Sequence, residues 1–200
     1  LTSRTVLLSL SSANALTGAI HPVEEIAALC KERGVILHLD ITHTLGKIPI
    51  EFQESGADFV SFNGNQIHAP TGTGGLCIRN GKNLSPFIVG GCEQMGYRGG
   101  TFSTAGLAAL GCAATQAYEK IDFIGTEIAC LRELLEQEII RQLPNSQVLF
   151  PNSERLPNCT AIAFPGIAND ALLHRLSQKG IQANFGGGSF QKINLILEAS

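Results

Sequence analysis

The run Val35-Ile36-Leu37-His38-Leu39, stopped by Asp40, narrows the possible folds more than any other stretch. Gly34 stands before it and a polar turn follows it, which leaves room for a short buried strand and not for a helix. Upstream, Pro22 suits the first turn of a helix and Gly34 suits its stop. Between them Ile26, Leu29 and Cys30 share one face, with Glu24, Glu25, Lys31 and Glu32 mostly turned away. Thr5 to Leu10 is a second apolar run and predicts another buried strand, which empties into Ser11-Ser12-Ala13-Asn14. Phe59 to Phe62 predicts a third strand and Gly75 to Ile78 a short fourth. Strand, helix, strand is the order of an α/β layer structure with parallel strands.

Two long helical segments come next. Thr104 to Tyr118 is Ala-rich, and Ile124, Ile128, Leu131, Leu135 and Ile139 form an apolar stripe closed by Pro144. Thr160 to Phe164 then reads as a strand, Asn169 as the cap of a helix running to Gly180, and Ile193 to Leu197 as a last apolar segment. The tail has the pattern of a smaller α+β unit. We place the boundary near residues 118 to 123, so that 1–120 belongs to the larger unit and 121–200 to the smaller.

A formal charge of −3 over 200 residues gives no electrostatic reason to expect nucleic acid or an anionic membrane. No apolar run is long enough to cross a bilayer. The six cysteines (30, 77, 92, 112, 130 and 159) are scattered without a CxxC pair. They read as buried reduced thiols of a cytoplasmic protein. The chain begins with Leu1, which is compatible with an internal piece of something longer.

Several residues have chemistry to offer. Asp40 ends an apolar strand, at the sheet edge where open α/β sheets bind ligands. A half-buried carboxylate there wants a positive partner, such as a protonated pyridine nitrogen, or else it caps the next turn. His43 can donate to a ligand oxygen or simply face solvent. His38 alternates with Leu37 and Leu39 and reads as structural; His21, His68 and His174 have no metal-ligand spacing. "APTGTGG" (69–75) can present backbone N–H groups to an anion or be a tight turn, and it lacks the lysine of a Walker loop. "GGCEQMGYRGGT" (90–101) holds Arg98 and Thr101 just before a helix, suited to a phosphate or carboxylate, or to a flexible surface loop.

The segments "RTVLLSLSSANALTGAIHPVEEIAALCKERGVILHLDITHTLGKIPI", "DFVSFNGNQIHAPTGTGGLCIRN" and "GYRGGT" resemble the class V aminotransferase family of fold type I pyridoxal-phosphate enzymes, in its cysteine desulfurase branch. The resemblance implies part of the large-domain sheet of a three-layer fold, followed by an incomplete small α+β domain, with the chain truncated at both ends. It implies pyridoxal phosphate as cofactor. Asp40 then takes the pyridinium-nitrogen role, while His43 and Asn14 lie near the phenolic oxygen. Thr101 reaches the phosphate of a neighbouring subunit's cofactor. The family writes Ser-Gly-His-Lys where this chain has Asn63, Gly64, Asn65 and Gln66. The lysine carries the cofactor and the Ser and His hold its phosphate.

Gln66 departs from that pattern in the decisive position. A carboxamide nitrogen is delocalised and is not a nucleophile, whereas a lysine amine is. Lys47 follows a different strand and Lys82 lies beyond the next one, so neither is expected to substitute. The mobile loop that carries the desulfurase cysteine matches "QANFGGGSFQKINLIL" (182–197), with Phe185 near the cysteine position and no cysteine after Cys159. Ala15-Leu16 and Gln94-Met95 replace Asn-Glu and Glu-Arg. By resemblance the chain holds four neighbouring strands of a seven-stranded sheet, leaving an apolar edge for another chain or a missing segment to cover.

These features lead us to expect a desulfurase-like protein without desulfurase activity, no covalently attached cofactor, and a partner role in sulfur or iron–sulfur metabolism. The association expected is a homodimer, or a heterodimer with a related desulfurase-like chain. The alternatives are an enzyme of altered chemistry that binds the cofactor non-covalently through Asp40 and Arg98, with His43 or His68 moving protons, and an inactive fragment.

Overall fold

The computed structural model describes residues 1–186, 193, 196 and 197. Its main sheet has strands β1 (Leu7–Ser11), β2 (Ile36–Asp40), β3 (Phe59–Asn63) and β4 (Gly74–Ile78) in that spatial order. β1 pairs with β2 and β2 with β3 in parallel, with Ser9 opposite His38 and Asp40 opposite Ser61. β4 runs antiparallel to β3, so the sheet is mixed, with parallel strands as expected for β1 to β3 and a reversed β4. Residues 64–73 between them hold only one 3-10 turn, Gly64–Ile67. A parallel return needs a crossover of a dozen or more residues, so this connection turns back instead.

Helix α1 (Val23–Arg33) forms the β1–β2 crossover. Glu24 and Glu25 lie in its first turn and Lys31 and Arg33 in its last, the arrangement its dipole favours. Gly34 ends it in the left-handed region at φ 64°, donating its N–H to Lys31 O. The expected start and stop are both observed.

The period of two along the strands divides the sheet into unlike faces. On one face Leu37, Leu39 and Val60 are buried with Ala27, Cys30, Val35, Ile41 and Ala57, and Leu8, Leu10 and Phe62 pack around them. The other face carries Ser9, Ser11, His38, Asp40, Ser61 and Asn63. There His38 bridges neighbouring strands, sharing a hydrogen bond with Ser9 Oγ through Nδ1 (2.7 Å) and with Ser61 Oγ through Nε2 (2.9 Å). The structural reading of His38 fits these contacts.

The expectation that Thr5–Leu10 is buried holds only for the face of Leu8 and Leu10, which pack against the core. β1 is an edge of the sheet, with Val6 75% and Leu7 51% exposed. Burial of an apolar run depends on what lies beside it, which the run itself does not encode. The thiols need the same correction: Cys30 is buried and Cys159 half-buried, but Cys77, Cys92, Cys112 and Cys130 are exposed, and all are free.

Helix α2 (Thr104–Glu119) is capped by Ser103 Oγ, which accepts from Gly106 N. The next helical stretch comprises α3 (Ile121–Phe123), a π-helical turn (Ile124–Ile128) and α4 (Ala129–Gln142). Its apolar stripe is not a core seam. Leu131 is 60% and Leu135 50% exposed, and the buried residue of α4 is Glu136.

A small antiparallel pair, β5 (Gln147–Val148) with β6 (Ile162–Ala163), follows. β5 was not foreseen, and β6 is shorter than the expected 160–164. Helix α5 (Asn169–Gln178) begins at Asn169 with no side-chain cap, so Asn169 is not the cap expected. Of the expected segment from Ile193 to Leu197, residues 194 and 195 lie outside the described residues. No described helix is long and apolar enough to cross a membrane.

Candidate active site

The C-terminal ends of β1, β2 and β3 open into three short turns. Hydrogen bonds tie them into one layer: Ser12 N donates to Asp40 O (2.9 Å), Ile41 N to Ser61 O (2.9 Å), and Asn63 N to Thr42 Oγ1 (3.1 Å). Buried Ser12 and Thr44 share a hydrogen bond of 2.7 Å beneath them. Asp40 and Asn63 thus end their strands, and Asn14, His43 and Asn65 lie in the turns at the same end of the sheet. That is the end where open α/β sheets take ligands.

Each polar side chain first serves its own turn. Asn14 Oδ1 accepts from Leu16 N (2.9 Å) and Thr17 N (3.1 Å). Asp40 Oδ1 accepts from Thr42 N (2.9 Å), and Asn63 Oδ1 from Asn65 N (3.0 Å). Asp40 therefore caps the turn after its strand, one of its two possible roles. Among the described residues its second side-chain oxygen accepts no hydrogen bond. His43 is half-buried. Burial, with help from the Lys47 charge, holds its imidazole below the usual histidine range, and Asp40 pulls the other way.

Gly64 allows the Asn63–Ile67 turn to close against its surroundings. A Cβ there would collide with Thr73 Oγ1 and lie 2.8 Å from Leu110 Cδ1. Asn63, Asn65 and Gln66 are exposed. His68, also exposed, ends the turn at φ 67°.

Lys47 was set aside from sequence because it follows a different strand. The structure corrects this: its Nζ donates to Gln66 O at 3.4 Å. The chain after Asp40 coils back through Thr44 N to Ile41 O and Lys47 N to Thr44 O, and so returns beside the end of β3. Burial pushes the Lys47 ammonium below its ordinary value. The amine meets the backbone of Gln66.

Arg98 and Thr101 are exposed on the loop ahead of α2, and among the described residues neither has a hydrogen bond to the strand-end turns. That loop closes on itself, with Gly99 N donating to Ile88 O (3.0 Å) and Gly100 N to Glu93 Oε2 (3.3 Å). Phe185 is exposed, and residues 187–192 of its loop lie outside the described set. Among the described residues no group of His, Cys, Asp and Glu could hold a metal.

Sequence reasoning missed an ion pair in the tail. Glu136 accepts from Arg155 Nη1 (2.7 Å) and Nη2 (3.0 Å), with Thr160 Oγ1 as a further donor. Arg155 also bridges to Ala19, and Leu156 N donates to Gly18 O (2.8 Å), which fastens this part of the tail to the β1 turn.

Comparison with known proteins agrees with this architecture. The family model for aminotransferase class-V matches residues 1–197. A cysteine desulfurase of Gluconacetobacter diazotrophicus is 39% identical over 186 residues, covering 93% of this chain and 46% of that protein. The cysteine desulfurase NifS of Azotobacter vinelandii is 36% identical over the same length. The solved structure of a NifS-like protein from Rickettsia africae superposes with a TM-score of 0.84 at 28% identity, covering 94% of this chain and 51% of that one. The chain thus spans about half the length of the relatives it matches. It belongs to the class V aminotransferase family, in the cysteine desulfurase, NifS-like branch.

Proposed function

We propose that this chain is a desulfurase-like member of the family that does not carry out desulfuration, and that it acts as a partner or regulator of a related protein in sulfur or iron–sulfur metabolism. The observation that carries this reading is the Asn63–Ile67 turn. The residue matching the cofactor-bearing lysine is Gln66, and an amide nitrogen does not condense with an aldehyde.

The family implies pyridoxal phosphate, and the donor set meets it only in part. Asp40 retains one carboxylate oxygen without a hydrogen bond among the described residues, and burial lowers the titration of the His43 imidazole. Asn14 and Asn63 direct their side-chain oxygens to their own backbone, and no amine is supplied by the turn itself. The residues do not fit a covalently held cofactor, and we assign no reaction step to one. Retention of the layered fold beside loss of nucleophile and loop cysteine supports a role in association, as a homodimer or with a desulfurase-like chain. The setting we propose is the cytoplasm.

A second reading is favoured by Asp40 and His43 at one strand end: reversible cofactor binding with altered chemistry, His43 holding or passing a proton. The visible spectrum after mixing with pyridoxal phosphate tests both. We expect no aldimine-type band that survives dialysis, with or without Lys47→Met. Such a band overturns the proposal. Reversible binding without the band favours the second reading. Co-purification with a catalytically active NifS-like protein supports the partner role, and failure to associate removes it.

A further inference from the structure

A cleft of ≈ 380 Å³ lies between the Lys47–Pro49 segment, the helical stretch from Ile121 to Arg132, and the chain near Arg155. Three of its lining residues are cations, Lys47, Arg132 and Arg155, against one carboxylate, Asp122. The cations are unequally compensated. Arg155 is held by both oxygens of Glu136, and Arg132 donates to Leu156 O and to exposed Glu133, while its Nε is buried and meets no acceptor. Among the described residues Lys47 forms no ion pair. Among the described residues its ammonium makes one hydrogen bond, the long contact with Gln66 O, and an ammonium has three donors.

A half-buried cation without a counter-ion is costly, and an anion beside it lowers that cost. The downward shift of Lys47 by burial is the same imbalance seen in its titration. The volume lies within the range of small-molecule sites. The lining is mixed, with Ile48, Pro49 and Ala129 supplying apolar wall.

We propose that this cleft binds a small organic anion bearing a carboxylate or a phosphate, with Lys47 as its principal contact. Arg132 and Arg155 supply positive field, and Asp122 sets the upper limit on affinity by repelling the same charge. The site is separate from the side chain of Gln66 and does not depend on the loss of desulfuration.

Gly125 gives a clean way to test it. A Cβ at Gly125, which lines the cleft, meets nothing within 4 Å, so a β-carbon is placed there without a clash. Calorimetric titration of the 200-residue chain at constant ionic strength uses inorganic phosphate in one arm and succinate in the other. We expect one-to-one binding of at least one anion. Lys47→Met should weaken it by about tenfold or more, the scale of a lost charged hydrogen bond. Gly125→Asp, which places a carboxylate in the cleft, should abolish it, Gly125→Ala should retain it, and Asp122→Asn should tighten it. Binding of phosphate alone assigns phosphate-bearing ligands, and of succinate alone assigns carboxylates. Absence of binding in both arms overturns the proposal. So does binding that is unchanged in Lys47→Met and Gly125→Asp.

Discussion

Replacing Glu136 with methionine while keeping Arg155 should destabilise the protein severely. The two side chains are 11% and 8% exposed and meet in two near-parallel hydrogen bonds of 2.7 and 3.0 Å. Removing one partner leaves a guanidinium shut away from water, which costs about 3–5 kcal/mol. Thr160 Oγ1 loses its acceptor as well. Residual exposure argues for the lower end, about 3 kcal/mol. For a chain of this size that corresponds to a fall in Tm of roughly 6–12 °C. Removing both charges, as Glu136→Met with Arg155→Met, should restore most of the loss, because no unpaired charge remains. Equilibrium urea unfolding of wild type, both single variants and the double variant measures the coupling. Acid adds an independent readout. Burial alone would raise the Glu136 carboxyl, but hydrogen bonds from Arg155 and Thr160 and the charges of Arg155 and Arg132 outweigh it and hold the group below its ordinary 4.5. The stabilisation is therefore present above pH 4.5 and is lost as pH falls through the lower folded value. A single-variant loss below about 1 kcal/mol, or a double variant as unstable as the single, would refute the reasoning.

Gln66→Lys combined with Asn65→His should generate an aldimine-type band with pyridoxal phosphate if the turn is otherwise competent, and the spectrum after dialysis reads it. Gly64→Ala should destabilise by about 1–3 kcal/mol in urea, since its methyl group collides with Thr73 and Leu110, whereas Gly125→Ala in open helix should stabilise by up to about 1 kcal/mol. The depressed His43 adds stability at neutral pH that declines as pH drops from 6.5 through the lower folded value. In the His43→Gln protein that part of the slope should vanish from a pH series of unfolding midpoints. Leu39→Ala, at 2% exposure in the core, should cost about 2–5 kcal/mol by the same unfolding assay.

Local chemistry made the central layer readable. Pro22 and Gly34 bracketed α1, and the apolar runs before Asp40 and Asn63 located β2 and β3. What failed was set by distant partners. Val6 and Leu7 look as buried as Leu37 in sequence, yet their burial depends on a neighbouring strand. The direction of β4 followed from loop length, which hydrophobic period does not report. Leu131 and Leu135 had helical spacing but no surface facing them. At the candidate site, position was legible and contact was not. Asp40, His43 and Asn65 were placed by motif, while the approach of Lys47 to Gln66 and the grip of Glu136 on Arg155 join residues 19 apart in each case. No periodic pattern encodes such pairs.

The row formed by Ser9, His38 and Ser61 has an inherent polarity. A neutral imidazole has one N–H and one lone pair, so when one serine accepts a hydrogen bond from the ring the other must donate one. Exchanging tautomers reverses every arrow in the row at once, without moving a heavy atom. Protonating the ring forces both hydroxyls to turn their hydrogens outward. Three strands thus share one hydrogen-bond orientation, set by which ring nitrogen of His38 carries the hydrogen.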